Sequence, residues 1–183
     1  MSDVMRQLHQ DHHNVTRLLA LLEEQFATIQ QAGRADFEVM MDIMDYMTHY
    51  PDMHHHPTED LVFERLVRRD PGARPAVQDL LDEHKVLAEK GSSLHRALSQ
   101  VVDGALVPRE PLEEQGRDYI DVLRRHMNKE ESQVFPLAKR RLNDEDWKAV
   151  DEAKGSMQDP LFGEILDEEY RTLYQLIITQ GRE

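Results

Sequence analysis

Four successive segments of this chain repeat apolar residues at steps of three and four, the spacing that puts side chains on one face of an α-helix. The first stripe runs from Val4 to Ile29 and stops before Gly33. No segment shows the strict alternation of a half-buried strand. The pattern therefore predicts an all-α fold. Short connections between the first three segments make neighbours antiparallel and predict an up-down-up-down four-helix bundle.

Caps and prolines set the expected limits of these helices. Asp36 can accept a hydrogen bond from the free amides at the start of the second helix. Pro51 and Pro57 lack the amide that would bond one turn back, so we expect a kink or short break between them. The fourth helix is expected to start near Pro111.

The chain is expected to have two parts. Residues 1–142 would form the four-helix bundle, and residues 143–183 a C-terminal helical extension packed on the bundle or at a dimer interface. Within the extension, a short helix is expected around Trp147, and a final helix along the stripe from Phe162 to Ile177. A homodimer is thus a possible assembly.

The composition limits the binding partners and metal ligands that the chain can have. The 36 acidic and 22 basic residues give a formal charge of −14, which repels a phosphate backbone or an anionic membrane, so we expect neither nucleic acid nor membrane as a partner. The absence of cysteine excludes thiolate zinc sites and cysteine-ligated iron–sulfur clusters, which leaves imidazole and carboxylate as metal ligands. With no secretion signal and no long apolar segment, a cytoplasmic location is expected.

Four histidines and two glutamates lie at matching depth on the four helices. Each is about ten residues from the same notional end of the bundle, which at about 1.5 Å per residue is about 15 Å of depth. A lone histidine on an apolar face is more often a hydrogen-bonded core residue than a ligand, but six such groups at one level predict a metal site. The six candidate ligands are His12, His55, Glu59, His84, His126 and Glu131.

The second helix leaves the choice of histidine open. His55 and Glu59 are four residues apart and would share one helical face. Because three histidines are consecutive and Pro57 disturbs the helix, His54 or His56 could replace His55 after a small rotation.

The fourth helix leaves the choice of carboxylate open. His126 and Glu131 are five residues apart, which is about 140° on an ideal helix, and Glu130 between them is a second option. Side chains at that angle can flank a pair of ions. Glu59 and Glu131 would each bridge the two metals, and two histidines would complete the ligands of each ion. A solvent-derived oxide or hydroxide would neutralise more of the positive charge of the ions. The expected cofactor is two iron ions, with zinc or manganese as alternatives.

Ligating histidines usually donate their second ring N–H to a carboxylate or carbonyl. Asp11, Asp60 and Glu83 are the candidate acceptors, because each is adjacent in sequence to one of the six candidate ligands.

At these residues the chain resembles the hemerythrin-like family of HHE cation-binding domains, over about residues 5–142. The likeness rests on DHHN in the first helix, His-x3-Glu in the second, Glu83-His84 in the third, and His-x4-Glu followed by Phe-Pro in the fourth. It implies a non-haem di-iron centre. Oxygen-carrying hemerythrins have a second histidine where this chain has Ala88 and an aspartate where it has Glu131. The resemblance is therefore to the branch with four histidines and two bridging glutamates, and it implies an open or water-filled position on one iron.

That resemblance implies a metal-binding protein that binds or reacts with a small diatomic, dioxygen or nitric oxide. The branch includes proteins implicated in repair of iron–sulfur centres and in responses to nitric oxide. One alternative is a di-iron oxidase, peroxidase or nitric oxide reductase, which the open position favours. Another is an iron store, or an iron or oxygen sensor, that acts through the C-terminal helices. Whether the chain is an enzyme is left open at this point.

Overall fold

Four long helical rods make up most of the computed structural model, which describes residues 2–31, 33–156 and 158–180. The described residues contain no β-strand, so the predicted all-α fold is confirmed. Met1 and residues 181–183, which the predicted domain limits included, lie outside the described residues. The helices of the rods are α1 (Asp3–Gln30), α2 (Phe37–Tyr50) continued by α3 (His56–Arg69), α4 (Arg74–Val102), and α5 (Arg109–Lys129) continued by α6 (Phe135–Arg141).

The rods pack as a four-helix bundle. Helix α1 contacts α2 and α5, and α4 contacts the same two helices, so the four surround one common core. Helices α1 and α5 approach closely at Gly116, where a Cβ atom would lie 2.1 Å from Cζ of Phe26. A larger residue at this crossing would therefore force the Phe26 ring to move. Along the described part of the chain, no helix is both long and apolar enough to cross a membrane.

Two π-helical turns, Pro51–His55 and Glu130–Val134, join the halves of the second and fourth rods. Each is followed by a proline at the start of the resumed α-helix, Pro57 after the first turn and Pro136 after the second. Proline has no amide to donate to the carbonyl four residues back, and a π turn redirects hydrogen bonds to the fifth residue. The break expected near residues 51–57 is therefore replaced by a continuous helix with a shifted register.

The buried apolar residues form two clusters rather than one. The larger cluster includes Leu18, Leu22, Ile43, Leu94 and Leu123. The smaller cluster, at the other end of the bundle, includes Val4, Leu8, Phe63, Leu80 and Phe135. On each of the four rods, residues of one cluster are separated from residues of the other by a polar stretch, so a polar layer crosses the bundle between the clusters.

The C-terminal extension packs on the bundle through α7 (Asp144–Ala153) and α8 (Arg171–Gln180). Leu173 and Ile177 of α8 join the larger cluster, and Val150 of α7 joins the smaller one.

The last helix begins later than the apolar stripe predicts. The Asp159 carboxylate accepts hydrogen bonds from the backbone amides of Leu161 and Phe162, both at 2.9 Å, and this holds a turn where the helix was expected.

Candidate metal centre

The polar layer is made of seven side chains that all four rods contribute. Its two glutamates, Glu59 and Glu130, are fully buried. The layer consists of His12 of α1, His55 at the end of the first π turn, His56 and Glu59 of α3, His84 of α4, His126 of α5, and Glu130 at the start of the second π turn.

The layer contains two groups of potential ligand atoms with one member in common. In the first group, ligand atoms of His12, His55 and Glu59 lie within 4.8 Å of one another. In the second, the same holds for His56, Glu59, His84 and His126, which means that Glu59 lies between the two groups.

Glu130 also faces both groups. Its Oε2 lies 3.3 Å from His12 Nε2, and its Oε1 lies 3.2 Å from His126 Nε2 and 3.7 Å from His84 Nε2. The layer thus has two buried carboxylates side by side, each reaching imidazoles on both sides of the bundle.

Glu131 lies outside the layer, in contrast to its expected position as a bridge. Its side chain is 36% exposed, and its Oε1 accepts hydrogen bonds from Nδ1 of His12 and of His9, both at 2.8 Å. The reason is helical geometry. Helix α5 keeps a regular register through Lys129, so the residue four positions after His126 shares its face, whereas the fifth is turned away.

The three consecutive histidines take different directions. His55 Nε2 lies 3.1 Å from Glu59 Oε1, in the first group. His56 belongs to the second group, and its ring stacks on His84 with centroids 4.3 Å apart. His54 is buried but belongs to neither group among the described residues. Sequence reasoning treated the three as alternatives and missed that two of them face the layer together.

Each of the five histidines faces a carboxylate from its outer side through Nδ1. Asp11, Asp60 and Glu83 are among these carboxylates, and each faces a histidine on another rod rather than the ligand adjacent in sequence. The pairs are His12 with Glu131 at 2.8 Å, His55 with Asp11 at 2.9 Å, His56 with Asp52 at 3.1 Å, His84 with Asp60 at 3.4 Å, and His126 with Glu83 at 3.0 Å.

The carboxylate oxygens and ring nitrogens that face the inside of the layer have few hydrogen-bond partners in the protein. Both carboxylate oxygens of Glu59 and of Glu130, and Nε2 of His84 and His126, are buried without a hydrogen-bond partner within the described residues. The imidazole and carboxylate atoms approach to between 3.1 and 3.7 Å without hydrogen-bond alignment. Buried charged oxygens without donors are costly, so the donor set fits a bound cation.

The pKa shifts within the layer also favour a bound cation. Burial raises the pKa of Glu59, but His55 and the neighbouring imidazoles outweigh burial and hold that pKa well below its usual range. Burial lowers the pKa of His84, but Asp60 and the two central glutamates raise it to about 11. Burial also lowers the pKa of His56. The two central carboxylates therefore require positive charge beside them, which protons or metal cations can supply.

An apolar cavity of about 20 Å³ adjoins the layer. Side chains of the larger cluster form one wall, and His12, His56, His126 and Glu130 form part of the other. The apolar wall includes Val15, Met47, Leu87, Leu123 and Met127.

The chain matches the model of the hemerythrin HHE cation-binding domain over residues 3–138, a span that contains every residue of the polar layer. The chain belongs to this family. The resemblance inferred from the sequence is thereby confirmed, and this HHE domain contains histidine and glutamate groups that could hold metal cations. Neither the curated proteins nor the solved structures include a match to the chain.

Proposed function

We propose that this HHE domain holds two iron ions in its polar layer and that the centre binds or reacts with a neutral diatomic, dioxygen or nitric oxide. The observation that carries the proposal is a pair of ligand groups that share the buried carboxylate of Glu59 and lie beside that of Glu130, with no hydrogen-bond donor on the oxygens of either residue among those described. Two adjacent groups, with one carboxylate in common and a second that faces both, favour two ions over one.

The ligands in this proposal differ from the sequence prediction at one residue. Glu130 replaces Glu131 as the second bridging carboxylate, because Glu130 is the one that faces both groups. Glu131 instead accepts a hydrogen bond from Nδ1–H of His12, which leaves Nε2 of that ring facing Glu59 and Glu130. The proposed ligands are His12 and His55 for one ion, His84 and His126 for the other, and Glu59 and Glu130 for both.

The donor set supports iron as the metal. Neutral imidazole and carboxylate oxygens suit iron, and also manganese or zinc, whereas the lack of thiolates removes the softer sites. When bound, the ions supply the electrons and the vacant coordination position that a diatomic needs. The protein orients the imidazoles through their outer carboxylates and keeps one side of the layer apolar.

The cavity supports a diatomic rather than an organic ligand. A cavity of about 20 Å³ holds a molecule of one or two heavy atoms. The apolar wall favours a neutral molecule over an anion, because an anion would lose its hydration there. A role in the response to nitrosative or oxidative stress follows from this ligand choice.

An anaerobic titration with ferrous iron, followed by nitric oxide, tests the proposal. We expect two irons per chain and an optical change on adding nitric oxide. His84→Ala should weaken iron binding. His95→Ala is the matched control, because His95 lies on the same helix and also has a carboxylate partner, Asp45, but is outside the layer. Equal iron binding by the two variants, or a loaded protein that takes up neither nitric oxide nor dioxygen, would contradict the proposal.

A further inference from the structure

His55 and His56 are adjacent in sequence, yet both face the polar layer. On a regular α-helix neighbouring side chains point about 100° apart. The π turn Pro51–His55 ends between them, closed by a hydrogen bond from the His56 amide to the Pro51 carbonyl. His55 consequently faces α1, where its ring lies 4.9 Å from that of His12, while His56 faces α4.

His56 has the arrangement of ring nitrogens that the four predicted ligands have. Its Nδ1 donates to Asp52 Oδ1 at 3.1 Å, which leaves Nε2 as the nitrogen with a free lone pair. Its ligand atom lies within 4.8 Å of those of Glu59, His84 and His126. A ring held by a carboxylate on one nitrogen and close to the other candidate ligand atoms is typical of a metal-ligating histidine.

His54 is a buried histidine of the same segment that has, within the described ranges, neither a carboxylate partner nor a place in a ligand group. Its side chain is as deeply buried as that of His55, at 6% and 5% exposure. Among the described residues, however, its ring has no carboxylate partner, and it belongs to neither ligand group. Burial alone therefore does not account for the position of His56.

We propose that His56 is a third imidazole ligand of the ion held by His84 and His126. This inference rests on the proposed function and deepens it. The two ions then have unequal surroundings, with three imidazoles on one and two on the other. The third imidazole comes from the second rod and not from α4, where the residue one turn after His84 is Ala88 and has no ligand atom. His56 thus fills the position that the family resemblance implied as open on this ion, and the vacant position for a diatomic is then on the ion held by His12 and His55.

Cobalt(II) loading of the full chain and proton NMR test this directly. Each histidine bound through Nε2 should give one exchangeable, strongly shifted Nδ1–H signal. We expect five such signals, from His12, His55, His56, His84 and His126. Four signals with two bound ions would overturn the role of His56 and leave the proposed function intact. A protein that binds no cobalt(II) and no ferrous iron would overturn both.

Variants assign the fifth signal. His56→Gln should remove one signal and weaken binding of the second ion by at least about 100-fold, since even outer partners of ligating histidines are worth about 10- to 100-fold. Asp52→Asn, at a partly exposed position, should move that same signal and leave the others in place. His54→Gln is the matched control and should keep all five. If His56→Gln binds both ions as tightly as His54→Gln does, the proposal is wrong.

Discussion

Most of the polar layer is as deeply buried as the two apolar clusters beside it, yet the layer and the clusters differ in whether their side chains satisfy one another. In the clusters, side chains such as Leu18 and Phe63 satisfy one another by contact. In the layer, the oxygens of Glu59 and Glu130 have no donor within the described part of the chain. The comparison indicates that the clusters provide the stability of the fold, while the layer is left incomplete for a ligand of positive charge.

The largest effect is expected from removing one central carboxylate. Glu130→Gln takes away a charge that faces imidazoles of both groups, and the amide is a poor metal ligand. We expect the variant to bind one ferrous ion or none, as measured by anaerobic titration. Retention of two ions at the affinity of the parent chain would exclude Glu130 as a bridge.

Metal loading should stabilise the fold by the next largest amount. A ligand present at about 100 times its Kd adds about 2.7 kcal/mol, so two ions add about 5 kcal/mol to the free energy of unfolding. Urea unfolding with and without ferrous iron, under anaerobic conditions, measures the difference. A midpoint that does not move with iron would mean that the layer does not bind it in the folded state.

A substitution in the larger cluster should lower the stability of the fold without changing iron affinity, whereas a substitution in the layer should weaken iron binding. Leu18 is fully buried, so Leu18→Ala should lower the free energy of unfolding by about 2–5 kcal/mol. The loss should be the same with and without iron, and iron affinity should not change. A loss of iron affinity in this variant would show that cluster and layer are not independent.

Glu131→Gln should have a smaller effect than Glu130→Gln. Because Glu131 orients His12 from outside, its loss should weaken iron binding by about 10- to 100-fold and leave two ions bound. Competition with a chelator measures the change. If Glu131→Gln proved as damaging as Glu130→Gln, Glu131 would be a ligand, as the sequence first suggested.

The smallest expected effect is the change with pH in the stability of the metal-free protein. Burial lowers the pKa of His55, but Glu59 and Asp11 raise it to about 9. Stability from a raised histidine pKa is fully present below about pH 6.5 and is lost as pH rises toward 9. The lowered pKa of Glu59 has its effect at low pH. The stability that the ionised Glu59 contributes to the fold is lost as pH falls below about 4.5. We therefore expect greatest stability between about pH 4.5 and 6.5.

His55 alone should contribute about 1 kcal/mol per pH unit just above pH 6.5 to that effect. Urea midpoints of the metal-free protein at pH 6.5 and 7.5 measure it. The double variant Glu59→Gln, Glu130→Gln should lose most of this dependence and serves as the control. A metal-free midpoint that rises with pH over this range would contradict the charge assignment.

The sequence predicted the bundle and the level of the site because both depend on helical periodicity. The positions of His12 and His84 within apolar stripes were enough to place them in the interior. Glu130 was also within reach of sequence reasoning, because it is four residues after His126, just as Glu59 is four residues after His55. The five-residue spacing predicts Glu131 instead, but the α-helical register through Lys129 places Glu130 on the face of His126.

Other features depend on tertiary structure. The position of His56 follows from a π turn, which Pro57 accommodates but does not specify. The late start of α8 follows from the hydrogen bonds of Asp159, whose neighbours otherwise continue an apolar stripe. The outer carboxylates could be listed from sequence, but their partners could not, because Asp11 and Glu83 contact histidines on other rods.

The most direct test of the central claim is the number of ferrous ions that the full chain binds tightly in the absence of oxygen. The account predicts two per chain, with no tight binding in a variant that carries both Glu59→Ala and Glu130→Ala. A chain that binds no iron, or a double variant that still binds two ions, would contradict it.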